Sequence, residues 1–387
     1  MSQSKEQKNL HGKLSLRVKL AGAFVFSVFV FLLALECLAR LLLSSPDFLA
    51  RFEGNDEASL RLSWVRRHQH QPGMDYLFDV YSPNRGWAIK PLLRDRETYG
   101  KPLNTNSRGL RGRSEYSYSR VPGKHRILVL GDSFSFGEEV GDRETFSSYL
   151  ERLLPNTEVI NLGVHGYGHD QMLLYLREEG LKYKPDIILL GFLYYDLERN
   201  LLSFRDYAKP KFRLTRHGLK LENHPVPKPS DILKKEFFRS KALDLWTIFF
   251  NRWAWENGVN GRKMRRLGTA ILDEIAEESR RIGAVPVYVY FPNEIDFNNF
   301  FDDKTPREKF LLEYCKSRDS VKCTSVRPAF LDQWKKSKSV DYYGHWDHEG
   351  HLLAAYTIRD FLVREGLAPE SPGRLAAKST KQENGTH

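Results

Sequence analysis

The sequence predicts an α/β fold in three layers, a mainly parallel sheet between helices, with an N-terminal transmembrane helix and a helical insertion. Three observations lead there. Short continuous apolar runs, Arg126-Ile-Leu-Val-Leu130 and Pro185-Asp-Ile-Ile-Leu-Leu-Gly191, suit strands buried on both faces. Helical stretches alternate with them, the pattern of strand–helix–strand units. Ahead of both stands a long apolar run from Leu20 to Leu43.

That run comes first in the chain and sets the expected topology. At about 1.5 Å of rise per residue it crosses a hydrocarbon core of roughly 30 Å. Lys5, Lys8, Lys13, Arg17 and Lys19 precede it, with Glu6 the one acid among them. Residues 1–19 therefore read as a cytoplasmic basic tail and 20–43 as the span, with everything beyond exported. A cleaved signal would be shorter and end in a small-x-small site, and none follows here. A lipoprotein signal needs a small residue before Cys37, where Glu36 stands. Glu36 and Arg40 are spaced to pair on one helix face or to snorkel to headgroups.

Residues 44–122 read as a stalk followed by a strand-and-loop extension. Its turn signals include Ser82-Pro-Asn-Arg-Gly86 and Asn104-Thr-Asn-Ser-Arg-Gly109. The main domain is expected over 123–367, with strands at 126–130, 159–162, 185–191 and 285–291. Helices are expected near 143–154, 170–181, 263–282 and 348–365. The stretch 197–262 breaks this rhythm and reads as an insertion. From Leu197 to Arg266 it holds seventeen Lys or Arg against seven Asp or Glu, along with Phe237, Phe238, Trp246, Phe249, Phe250, Trp253 and Trp255. A lid, a substrate platform, a membrane-contacting flap and a packed helical pair are all compatible with it. Residues 368–387 are polar and read as a disordered tail, in which Asn384-Gly-Thr is a chance match to a short motif.

Composition narrows the class. Apolar content of 41% and aromatic content of 13% supply a core. The net charge of +11 is spread along the chain, without zinc-finger spacing or an RNP-like aromatic run. Anionic envelope material is thus a better expected partner than nucleic acid. Of three cysteines, Cys37 lies in the apolar run. Cys315 and Cys323 are near enough to pair in an oxidising compartment, and read equally as two buried thiols. No metal or organic cofactor is suggested.

Chemistry is concentrated after the first buried strand, at Gly131-Asp132-Ser133-Phe134-Ser135. In an open α/β sheet the active crevice lies at the carboxyl ends of the strands. A serine there, at the start of the next helix, can aim its hydroxyl into a site whose backbone N–H groups stabilise an oxyanion.

From about residue 100 to 365 the chain resembles the SGNH (GDSL-like) hydrolases, whose sheet is flavodoxin-like. The resemblance rests on Arg126-Ile-Leu-Val-Leu-Gly-Asp-Ser-Phe-Ser-Phe-Gly137, Val159-Ile-Asn-Leu-Gly-Val-His-Gly166 and Lys184-Pro-Asp-Ile-Ile-Leu-Leu190. Upstream, Asn106-Ser-Arg-Gly-Leu-Arg-Gly112 looks like the lead-in of membrane-anchored bacterial members. The resemblance implies Ser133 as nucleophile and first oxyanion donor, and Gly166 as second donor. Where the family has Gly-x-Asn-Asp, this chain reads Gly191-Phe-Leu-Tyr-Tyr-Asp196, putting Tyr195 in place of the oxyanion-hole asparagine and leaving Asp196 a structural brace. The last block, Asp341-Tyr-Tyr-Gly-His345-Trp-Asp-His-Glu-Gly-His351, implies His345 as general base, with Asp341 the nearest upstream acid to orient it and Asp347 or a backbone carbonyl as alternatives. His351 reads as a packing or capping residue, with a role as base the alternative, and His348 as exposed.

The activity implied is that of a serine esterase or deacylase acting on O-acyl esters of envelope glycans or lipids, with an envelope protein as a further possible partner. An O-acyltransferase of polysaccharide modification and a non-catalytic binding module are the rival readings.

Overall fold

Alternation along the strands decides how the sheet is covered. In a computed structural model describing residues 2–52, 56–297, 303–337 and 344–369, the main sheet comprises β1 (His125–Leu130), β2 (Thr157–Asn161), β3 (Ile187–Phe192), β4 (Val285–Tyr290) and β5 (Lys322–Ser325). Side chains at Leu128, Leu130, Ile188, Leu190, Tyr288 and Tyr290 enter one core, and those at Ile127, Val129, Ile187, Leu189, Val287 and Val289 another. Two buried faces explain why these strands read as unbroken apolar runs.

The longer helices are α1 (Ser2–Leu43), α2 (Glu57–His68), α3 (Phe146–Leu153), α4 (His169–Glu178), α5 (Pro229–Phe237), α6 (Lys241–Glu256), α7 (Val259–Arg281), α8 (Pro306–Lys316), α9 (Arg327–Ser337) and α10 (His348–Arg364). Helices α4 and α7 bring Met172, Leu173, Leu176, Ile271 and Ile275 to the first face. Helices α3, α9 and α10 bring Phe146, Leu150, Phe330, Ala354, Ile358 and Phe361 to the second. Polar caps mark the starts: Thr145 accepts from Ser148 N at α3, and Asp347 accepts from Gly350 N at α10.

The strands run parallel in the order β2-β1-β3-β4-β5. This is the doubly wound, flavodoxin-like order, and the three-layer expectation holds. The order reverses beside β1, which opens a crevice beyond the carboxyl ends of β1 and β3. Leu130 lies opposite Leu190, and Phe192 opposite Tyr290, so the loops that follow these strands emerge side by side.

Several stretches differ from expectation. Part of the expected stalk is helix α2, whose Trp64 is fully buried and whose Arg61 forms a buried ion pair with Glu236 and Asp244. The insertion is not all helical: after the short helix Tyr195–Arg199 comes an antiparallel hairpin, Lys211–Thr215 against Gly218–Glu222. It is tied down at Lys209, whose buried ammonium pairs with Asp170 and donates to the Leu202 and Pro210 carbonyls. Helices α8 and α9 and strand β5 had no counterpart in the sequence reading, because β5 is short and only partly buried. Cys315 on α8 and Cys323 on β5 are joined in a disulfide with their Cα atoms 6.2 Å apart. The greater part of the expected C-terminal tail, residues 370–387, lies outside the described residues.

Candidate active site

Asp132 and Ser133 follow β1 directly, and a single helical turn, Ser133–Phe136, begins at the serine. Asp132 caps that turn, its Oδ1 accepting from Phe134 N at 3.1 Å. Gly137 closes it at φ +82°, with its N–H and that of Glu138 both donating to the Ser133 carbonyl. The lead-in motif now has a physical role. Arg111 reaches from it to donate to the Phe136, Gly137 and Val140 carbonyls, and pairs with Asp142 at 2.9 Å. It holds the serine turn from outside.

The loop after β2 is locked to the same turn. Asn161 Nδ2 donates to the Ser135 carbonyl at 2.6 Å, and Val164 N to the Gly131 carbonyl at 3.1 Å. Gly166 sits at φ +71°, a conformation that favours glycine, and the ends of the Asp206 and Arg205 side chains lie close over it. Among the described residues, neither the Ser133 nor the Gly166 amide N–H donates to a protein acceptor.

Ser133, Gly166, Tyr195 and His345 all line one cavity of about 360 Å³, so four of the five expected site residues meet. The fifth, Asp341, lies outside the described residues. Asp347 is occupied as the α10 cap. His345 Nδ1 lies 3.1 Å from Glu139 Oε1, and its Nε2 lies 3.3 Å from Glu138 Oε2. No hydrogen bond joins the Ser133 hydroxyl to His345 among the described residues; the Phe134 ring packs on the imidazole at 5.0 Å. His351 is fully packed, accepting at Nδ1 from Phe146 N, and burial pushes its pKa down to about 3. It is a neutral cap, as expected. His348 is exposed.

Several groups in or beside this cavity had no assigned role in the sequence reading. Glu138 and Glu139 follow the glycine that ends the serine turn, and Glu139 itself takes φ +69°, a rare conformation for glutamate. Two acids just beyond Gly137 were the signal available. His165, beside Gly166, is 2% exposed, with Nε2 at 2.8 Å from Asp79. Burial opposes its protonation, but Asp79 with Asp206 and Glu138 together outweigh burial and raise its pKa. His165 is thus buried against Asp79, whereas His345 keeps partial exposure. Asn293, three residues past β4, is the one carboxamide lining the cavity among the described residues; its Oδ1 accepts from Ile295 N at 3.2 Å. The extension before β1 builds the facing wall through Tyr76, Tyr99 and the Asp79–His165 contact.

Beneath Ser133, the Arg199 Nη1 donates to Asp132 Oδ2 at 3.0 Å, to Asp196 Oδ1 at 2.5 Å and to the Tyr167 carbonyl. Asp196 is fully buried with Oδ2 lacking a partner among the described residues; burial, with Asp132 nearby, holds its carboxyl well above the ordinary range. It braces the loop after β3, the role expected of it. Among the described residues no group of three or more His, Cys, Asp or Glu is set to hold a metal ion.

Burial also raises the Glu138 pKa, against the pull of His165 and His345. An acid with a higher pKa folded than unfolded contributes stability that is full below its unfolded value, about 4.5, and lost as pH rises through the folded one. Glu138→Gln is therefore expected to raise Tm at neutral pH, by about 2–4 °C for each kcal/mol of penalty removed. The gain should vanish in melts run at acidic pH.

No family model matches the chain, and no curated protein matches its sequence. Solved structures resemble it distantly. A member of the lipolytic protein G-D-S-L family from Veillonella parvula DSM 2008 shares 11% identity at a TM-score of 0.37, over 62% of this chain and 99% of that one. An acetylxylan esterase from Geobacillus stearothermophilus shares 13% at 0.37, over 63% and 96%. A lipase from a goat rumen metagenome shares 15% at 0.38, over 62% and 97%.

Proposed function

We propose that this chain is a serine ester hydrolase that removes O-acyl groups from envelope glycans or lipids, anchored by α1 with its domain on the far side of the membrane. The observation that carries this reading is the convergence of Ser133, Gly166 and His345 on one cavity at the carboxyl end of β1. Ser133 Oγ attacks the acyl carbonyl while His345 takes its proton. The amides of Ser133 and Gly166 hold the oxyanion. Collapse expels the alcohol, protonated by the imidazolium, and leaves an acyl-serine ester. Water, activated by the same imidazole, then releases the acid. For this His345 turns Nε2 from Glu138 toward the serine, while Glu139 at Nδ1 orients the ring, alone or with Asp341.

Asn293 supplies the donor that Tyr195 replaces in the family pattern. Asn293→Asp keeps the acceptor for Ile295 N and removes the N–H groups. It should lower kcat by roughly 10²–10³ with KM little changed, whereas Tyr195→Phe should cost less than tenfold. Steady-state kinetics on p-nitrophenyl esters check both.

Two further facts support the placement. Five basic residues precede the apolar run, and the Cys315–Cys323 pair suits an oxidising compartment. Hydrolysis of p-nitrophenyl esters of graded acyl length tests the activity, with a sugar acceptor added to detect transfer. A second reading, a non-catalytic binding module, is favoured by Tyr195 and by the Glu138 contact at His345 Nε2. Absence of turnover by folded protein would establish it.

A further inference from the structure

Helix α6 carries two unlike faces. Asp244, Leu245 and Ile248 are buried. Leu243, Trp246, Phe249, Phe250 and Trp253 fall on one arc of the opposite side, at 49–68% exposure. Just before the helix, Phe237 and Phe238 are 78% and 86% exposed. An apolar patch of this size is not left to water without a reason.

What lies beside it indicates the occupant. Leu16–Leu43 is long and apolar enough to cross a membrane, and none of its most apolar 18-residue window is buried. Its C-terminal end packs directly on α6: Ala39 and Leu43 share a buried cluster with Leu245 and Ile248. Glu36 on α1 also caps α6, accepting from Lys241 N and Ala242 N at 3.0 Å and from Ser240 Oγ at 2.8 Å. The joint fixes α6 against the end of the span. The aromatic arc, on the side of α6 away from that cluster, thus stands beside the end of the span. Tryptophan and phenylalanine on one face of a helix at the end of a span are the composition of a membrane–water interface.

We infer that the α6 face, with Phe237 and Phe238, lies in the headgroup and upper acyl region of the leaflet where α1 emerges, so that its partner is lipid. This rests on reading α1 as a membrane anchor. The domain is then held at two places, by a span and by an interfacial helix, and cannot swing freely about residue 44.

Full-length protein is reconstituted into phosphatidylcholine–phosphatidylglycerol vesicles, with or without phosphatidylcholine brominated high on the acyl chain. Flotation reports anchoring, and tryptophan emission reports the face. Expected is flotation together with bromine-dependent loss of emission in wild type that disappears in the Trp246→Phe, Trp253→Phe variant. Flotation with emission unchanged by bromine overturns the inference and leaves the anchor standing. Failure to float overturns both. Flotation without quenching, with disulfide cross-linking between copies of a Trp246→Cys variant, assigns the face to a second copy of this chain instead.

Discussion

Ser133→Ala is expected to abolish covalent labelling by a fluorophosphonate and to cut ester turnover by about 10³-fold or more, with Tm close to wild type. The loss is chemical because the neighbouring serine cannot take the role. Ser135 is fully buried, and its Oγ is wedged between the Gly131 and Gly191 backbones, so that a Cβ on Gly131 would lie 1.9 Å from it. The fold is spared because the Ser133 side chain makes no hydrogen bond among the described residues, and the turn is held by Asp132, Gly137 and Arg111 instead. Gel fluorescence after labelling, beside a thermal melt, gives both readouts. Label retained in the variant would place the nucleophile elsewhere. A folded wild type that takes no label would leave the architecture without the reaction.

Arg199→Ala should be the most damaging change to stability in the site, at about 3–5 kcal/mol, because it strips the shared cation from two buried carboxylates. Asp132 and Asp196 are both 0% exposed, and they meet at one guanidinium nitrogen. The sign of the pH dependence follows. Without Arg199 the buried Asp196 carboxyl resists ionisation still more strongly in the folded than in the unfolded chain, so the variant's stability falls as pH rises and recovers as pH falls. Melts should therefore show a deficit on the order of 10 °C at neutral pH that narrows under acid. Asp196→Asn on the same background should recover part of it by removing one of the two charges. A deficit independent of pH would mean that Arg199 acts through packing alone.

The sheet was legible because burial on two faces writes itself as runs of Ile, Leu and Val, and four of the five strands carry such runs. Strand β5 reads Lys322-Cys-Thr-Ser325, is only partly covered, and left no apolar trace. The same logic divides the site. Ser133 could be placed from the strand that precedes it, while Gly166 and His345 were expected only through the family resemblance; all three line one cavity. Glu138, Glu139 and Asn293 were not legible, since their approach depends on a left-handed turn at Gly137 and on how far the loop after β4 travels. Neither is a matter of local pattern. The role of Arg111 was hidden for a similar reason: its partners are carbonyls some twenty-five residues away, and any sequence supplies those.

The contact between Glu36 and the start of α6 also bears on how the protein can be handled. Helix α1 is not a detachable leash. A shortened chain beginning after Leu43 would lose the carboxylate that receives three donors, and would lay bare Leu245 and Ile248, which Ala39 and Leu43 now cover. Such a fragment should clump or need detergent even though its hydrophobic span is gone, while one that keeps the stretch from Glu36 onward should behave better despite being greasier overall.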